Sequence, residues 1–149
     1  MNRRFLFVML PVFIIATELR GAGASETMDS LQGKWKLLEI AKDGKSHKVT
    51  PKSTEYFELE FKGNKVTASF IHNATEEGTY KVGPEEKPRA IDFMPTTSDD
   101  KGKTMLGIFE LKENKLKLCV AEPEVTKRPT KFESKGEEII VYILERVKG

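Results

Sequence analysis

The chain has 149 residues, 25 of them basic and 23 acidic, with a single cysteine and a single tryptophan. That length makes one domain. The near balance of charge excludes the concentrated basic surface that nucleic acid or an anionic membrane requires. A lone Cys119 excludes an internal disulfide.

Residues 1–24 read as an export signal. Arg3 and Arg4 form a basic start, Phe5 to Ala16 is an uninterrupted apolar run, and Ala22-Gly23-Ala24 supplies the small side chains for cleavage after Ala24. The apolar run is shorter than the roughly 20 residues that a membrane-spanning helix requires. The expected destination is therefore periplasmic or extracellular, with no stable membrane insertion once the leader is removed. Without residues 1–24, basic and acidic residues balance at 22 each. The pI of about 8.6 thus belongs partly to the leader.

Residues 25–30 read as a short linker, in which Asp29 or Ser30 can cap one helical turn. The folded domain spans 31–149. Its first strand is expected over 33–41, and Asp43-Gly44 signals a hairpin into a short return strand near 46–49. In Tyr56 to Phe61, the residues Phe57, Leu59 and Phe61 share one face while Glu58 and Glu60 share the other. This is the alternation of a half-buried antiparallel strand. Lys62-Gly63-Asn64 turns, and Val66, Ala68, Phe70 and His72 line one face of the next strand. Asn73-Ala74 turns again into a strand over 75–82, with Tyr80 and Val82 aligned, which Gly83-Pro84 ends.

Further strands are expected over 89–94, 105–111, 115–121, 130–134 and 138–147. Gly107 marks a bulge or a close backbone approach. Two polar loops, 95–104 and 122–129, separate them. Cys119 falls on a strand and reads as a buried small apolar residue. The total is eight to ten short strands joined by tight turns. The fold class is all-β, and the consecutive hairpins favour a small antiparallel up-and-down β-barrel, because closure removes free edges. In such a barrel the first and last strands are neighbours. Arg146, near the end of the last strand, can then lie over the indole of Trp35, with Gly33 admitting close backbone approach at the floor.

Gly33-Lys34-Trp35 resembles the glycine-x-tryptophan motif that opens lipocalins and related calycin barrels. Those barrels close with a basic residue of the last strand on the tryptophan, the place that Arg146 takes. More closely, the domain resembles a lipocalin-like, uncharacterised family of exported proteins abundant in planctomycete bacteria. The phrases that carry the resemblance are Leu31-Gln-Gly-Lys-Trp35, Gly78-Thr-Tyr-Lys81, Pro88-Arg-Ala-Ile-Asp92, Lys101-Gly-Lys-Thr104, Gly107-Ile-Phe-Glu-Leu111, Leu116-Lys-Leu-Cys119 and Arg128-Pro-Thr-Lys-Phe132. Together they span nearly all of 31–147. The resemblance implies a barrel and export. It transfers no catalytic residues, since no activity is assigned to the family.

Chemistry is sparse in the sequence. His47, His72 and Cys119 are the only nitrogen and sulfur metal-ligand types, and no spacing groups them. Asp99-Asp100 lacks the ligand spacing of a calcium loop. No phosphate loop, dinucleotide signature or zinc-protease helix is present. Two histidines so placed do not make a serine triad. The expectation is a non-enzymatic protein without cofactor or metal. Eight aromatic residues stand as a candidate lumen lining: Phe57, Phe61, Phe70, Tyr80, Phe93, Phe109, Phe132 and Tyr142. They suit either a packed interior or a pocket for a small hydrophobic molecule. The corresponding functions are binding of such a molecule, or a structural module that meets an envelope protein through the loops 95–104 and 122–129.

Overall fold

The computed structural model describes residues 22–136 and 138–148. The leader expected over 1–24 lies almost wholly outside them. One helix, α1 (Ala22–Leu31), precedes nine strands: β1 (Gly33–Lys42), β2 (Lys45–Lys48), β3 (Phe57–Lys62), β4 (Lys65–Phe70), β5 (Thr75–Val82), β6 (Arg89–Pro95), β7 (Met105–Lys112), β8 (Lys115–Ala121) and β9 (Ile139–Arg146). Every neighbouring pair is antiparallel. The strands β1 and β3 to β9 pair consecutively, and β9 returns to β1, so eight strands close an up-and-down barrel of lipocalin-like form.

The edge of β1 that faces away from β9 is shared. Its first half pairs with β3, from Gly33 opposite Phe61 to Lys36 opposite Glu58. Its second half pairs with the short hairpin strand β2. An extra residue at Leu38 shifts the β1–β9 register between Leu37 and Glu39, as a bulge does. Val49 follows β2, donates its N–H to the Leu38 carbonyl at 2.8 Å, and is buried in the core.

Period-2 alternation explains the interior. Trp35, Leu37, Leu59, Phe61, Val66, Tyr80, Ile91, Phe109, Leu116, Leu118, Val120 and Leu144 form one cluster inside the barrel. Three local expectations are corrected. Residues 25–30 are helix rather than linker, and Asp29 and Ser30 stand in the last turn of α1 instead of capping its start. His72 leaves the face of Val66, Ala68 and Phe70, because Ile71–Asn73 wind into a 3₁₀ turn with His72 at φ 65°. No strand forms over 130–134; a single bridge, Lys135 with Ile139, follows that segment. Gly107 marks a close approach with no bulge: the ladders on both its sides run through in register. A Cβ there would stand 2.9 Å from the Cys119 carbonyl oxygen.

The lower end is closed by α1, and polar chemistry holds it there. The last carbonyls of a helix lack partners within it, and two barrel side chains together with Gln32, between α1 and β1, supply them. The Trp35 indole Nε1–H donates to Leu31 O at 2.8 Å. Arg146 donates from Nη1 to Gln32 O at 2.7 Å and from Nη2 to Ser30 O at 2.6 Å. The Gln32 amide reaches back to Met28 O and across to Gly63 O, while its Oε1 accepts from Gly63 N at 2.7 Å. A cation at the C-terminal end of a helix also suits its dipole. The guanidinium carbon of Arg146 lies 4.3 Å from the centroid of the Trp35 ring. The two residues are direct partners across β1 and β9. Gly33 has φ +108°, and a Cβ on it would stand 3.3 Å from Arg146 Nη1. The glycine therefore serves both the turn out of the helix and the space for the guanidinium.

A second, smaller cluster lies outside the barrel. Ile108, Cys119 and Val141 point outward from β7, β8 and β9, and Phe132, Ala41, Ile139 and Ile143 pack on them. The connection between β8 and β9 crosses this face as a belt. Arg128 fastens it at one end, donating to Gly107 O at 2.8 Å and pairing with Asp92 at 2.7 Å. Ser134 Oγ accepts from Gly44 N at 2.9 Å, and Gly136 O accepts from Asp43 N at 3.1 Å, at the other end. The Cys119 thiol, fully buried beneath it, donates to Lys131 O at 3.4 Å. Burial pushes the thiol pKa up.

Two tests follow from these contacts. Trp35→Ala should lower unfolding stability by about 3–5 kcal/mol in urea titrations. Arg146→Ala should lower it less, and the double variant should show a coupling of about 0.5–2 kcal/mol; strict additivity would mean that the ring and the guanidinium do not act on each other. Phe132→Ala should open the belt over Cys119. Native protein should resist a bulky thiol reagent and the variant should react at least about tenfold faster; equal rates would show that the belt does not shield the sulfur.

Candidate functional site

The interior divides into a solid lower half and a partly open upper half. Below, Phe61 and Tyr80 meet edge to face with ring centroids 4.9 Å apart, in the same core cluster as Trp35. Tyr80 ends in a hydrogen-bond pair, donating to Gly63 O at 2.8 Å and accepting from Gln32 Nε2 at 2.9 Å. Both rings are almost fully buried. They fill the barrel and line no space. Phe109 is likewise buried near the closed end.

Above this layer a cleft of about 220 Å³ opens at the end away from α1. Its walls carry Phe57, Phe70, Phe93 and Tyr142, with Leu59, Val66, Ala68, Met94, Met105, Leu118 and Val120 between and beneath them. Strand register accounts for the gathering. Phe57 and Phe70 are partners across β3 and β4, at the top of both strands. Their ring centroids are 5.8 Å apart at 52°, and Phe57 meets Tyr142 at 5.3 Å and 77°. Ala68, one inward step below Phe70, is the small residue that leaves room. Opposite Ala68 on β5 stands Glu76. Glu76 and Glu77 are the only charged residues in the lining. Glu77 is held by its backbone, which receives Thr96 N and donates to Thr97 Oγ1, each at 2.8 Å.

Of the eight aromatic candidates, the structure therefore brings four to the mouth: Phe57, Phe70, Phe93 and Tyr142. Phe61 and Tyr80 belong to packed core, and Phe109, also buried, borders the larger cleft at the closed end. Phe132 is a correction, since it lies outside the barrel under the belt, with Lys117 Nζ 5.4 Å from its centroid. The reason is that 130–134 never joins the sheet, so alternation does not govern which way its side chains face. Gly33, Trp35 and Arg146 stand together at the closed end and face no cleft.

Tyr142 brings a neutral hydroxyl to the mouth. Among the described residues its hydroxyl has no hydrogen-bond partner. Burial, and then the nearby charge of Glu122, push its pKa up to about 12. Tyr56, just before β3, is also raised to about 12, by burial and by its hydrogen bond to Glu58 at 2.8 Å.

A larger cleft of about 580 Å³ lies at the closed end, beside Thr27 and Ser30 of α1. Its walls mix Glu85, Glu86 and Glu110 with Lys87 and Arg89, and Arg89 bonds Thr27 across it. Size alone does not make it the better site. Phe109 and Phe132 also line it among these charges, whereas the upper cleft is continuous with the barrel interior and sets four aromatic rings in mostly apolar walls, the usual character of a small-molecule site. His47 pairs with Glu55, His72 is exposed on its turn, and Cys119 is under the belt, so the three do not converge. Among the described residues no cluster of metal-ligating side chains occurs.

Reading the sequence missed Ala68 and Glu76 as lining residues, and Gln32 and Arg128 as tethers. Extending the alternation of β5 backward from Tyr80 and Gly78 puts Glu76 on the inner face, so a signal was there. Gln32 and Arg128 gave none, because their partners are backbone carbonyls remote in the chain.

No family model matches the chain, and no curated protein or solved structure is similar to it.

The raised tyrosines predict a pH dependence. A phenol that is harder to ionise folded than unfolded stabilises the fold fully below pH 10, its ordinary value, and that contribution is lost as pH climbs from 10 to about 12. Stability in urea should therefore fall over that window. Tyr142→Phe should flatten the fall, and its ultraviolet titration should lose a component near pH 12. A Tyr142→Phe profile identical to that of the parent would contradict the burial of this hydroxyl.

Proposed function

We propose that this protein is an exported, non-enzymatic, lipocalin-like barrel that binds a small, mostly apolar molecule in its open mouth. The observation that carries the reading is the aromatic cleft of about 220 Å³ above a solid lower core. Apolar walls give affinity through the area they remove from water, and the Tyr142 hydroxyl supplies one hydrogen bond that fixes orientation. The cleft lies below the roughly 300–1,000 Å³ of drug-sized sites. Its occupant is thus a compact molecule or the head of a longer one.

Membership of the exported lipocalin-like family rests on the glycine-x-tryptophan start, the arginine on its ring and the ordered phrases along the chain. Export rests on the leader-like residues 1–24. Cleavage after Ala24 would take three residues from α1 and leave the carbonyls of Met28 to Gln32, which hold the floor, in place.

A second reading keeps the same mouth and gives it a protein side chain as occupant. It is favoured by the two long loops beside the mouth, which Lys103 ties together by bonding Glu124 at 2.7 Å. The partner would then be a protein of the cell envelope.

Ala68→Trp tests the first reading by filling the cleft from its own wall. A neutral apolar fluorophore such as 1-aminoanthracene should bind the parent at one per chain, with brightened emission. The variant should bind at least about tenfold more weakly while unfolding at a similar urea concentration. Equal binding to both would place the fluorophore elsewhere and end the proposal.

A further inference from the structure

The lining of the mouth is asymmetric in charge. Glu76 holds an inward register position opposite Ala68, and no lysine, arginine or histidine lines the cleft. Glu122, at the top of β8, adds negative potential near Tyr142. A fatty acid or other carboxylate placed head-up in this mouth would set its charge beside these two glutamates. Head-down, it would bury that charge against Leu59, Val66, Leu118 and Val120, which is more costly still. Either orientation is unfavourable, so an apolar anion is excluded as the occupant.

The rings have the complementary preference. Phe57, Phe70 and Tyr142 stand at steep mutual angles, 52° and 77°, with centroids within 6 Å of each other along the cluster. Aromatic faces carry negative quadrupole potential, and rings set at angles around a small space are how alkylated ammonium groups are recognised. The sulfurs of Met94 and Met105 on the same wall add polarizable contacts. A methylated ammonium is also a weakly hydrated cation with an apolar surface, so it loses little on leaving water.

We infer that the mouth selects a compact organic cation, an alkylated ammonium held against Phe57, Phe70 and Tyr142 with Glu76 as its counter-charge. This rests on the mouth being the binding site and adds the chemical class of the ligand.

The test compares three probes of nearly one shape on the full chain at neutral pH and low salt: phenyltrimethylammonium, the neutral tert-butylbenzene, and the anionic 4-tert-butylbenzoate. Binding is read from amide shifts of mouth residues in NMR titrations. The cation should bind about tenfold tighter than the neutral compound, and the anion weakest of the three. Glu76→Gln, a change at an exposed position, should bring cation and neutral compound to within about twofold. A neutral compound that binds as tightly as the cation would overturn this inference and leave apolar binding standing. Preference for the cation that survives in Glu76→Gln would remove Glu76 from the role assigned to it. No shift of the mouth residues by any probe would overturn both readings.

Discussion

The guanidinium of Arg146 joins three parts of the chain that would otherwise only be adjacent. It lies on the Trp35 ring, bonds two carbonyls at the end of α1, and occupies the space that Gly33 leaves. A helix of ten residues is marginal by itself, and here Met28 and Leu31 pack it on the barrel core. Its terminal carbonyls add to this, since they find donors rooted in β1, in β9 or in Gln32. In turn the helix seals the end of the barrel, so Trp35 and Leu31 are both fully buried. Closure of the sheet and docking of the helix are thus one interaction seen from two sides.

The belt between β8 and β9 repeats this logic on the outer surface. Outward positions of a small barrel are normally polar, yet β7, β8 and β9 present Ile108, Cys119 and Val141 there. A chain that supplies Phe132 and fastens itself by Arg128 at one side and Ser134 at the other covers them. The barrel therefore has two apolar layers separated by the backbone of three strands. The inner layer is continuous with the mouth, while the outer one borders a groove of about 450 Å³ beside Lys117 and Ser134.

Legibility of the sequence followed the range of the interactions. Strands with clean alternation, β3 and β8 above all, show their inner face directly, and a closed barrel of eight to ten strands is the expectation from their number and spacing. The pairing of Trp35 with Arg146 is legible because closure forces the first and last strands together. The helix at 22–31 is not, because its stability lies in donors that arrive from β9. The belt is not, because Thr130 to Ser134 alternates plausibly but makes its contacts through carbonyls and one ring. At the mouth, aromatic residues could be named from the sequence, yet which of them face a void depends on the layer beneath. Phe61 and Tyr80 fill that layer, while the smallness of Ala68 opens the one above.

The shared edge of β1 leaves β2 at the rim of the sheet. Its four residues, Lys45-Ser-His-Lys48, are all exposed, and its outer backbone is unclaimed by any other strand. A second copy seeking to extend the ladder would set ammonium groups against ammonium groups over a strand only four residues long. The place where closure of the barrel is interrupted is thereby also guarded against edge-to-edge pairing through that strand.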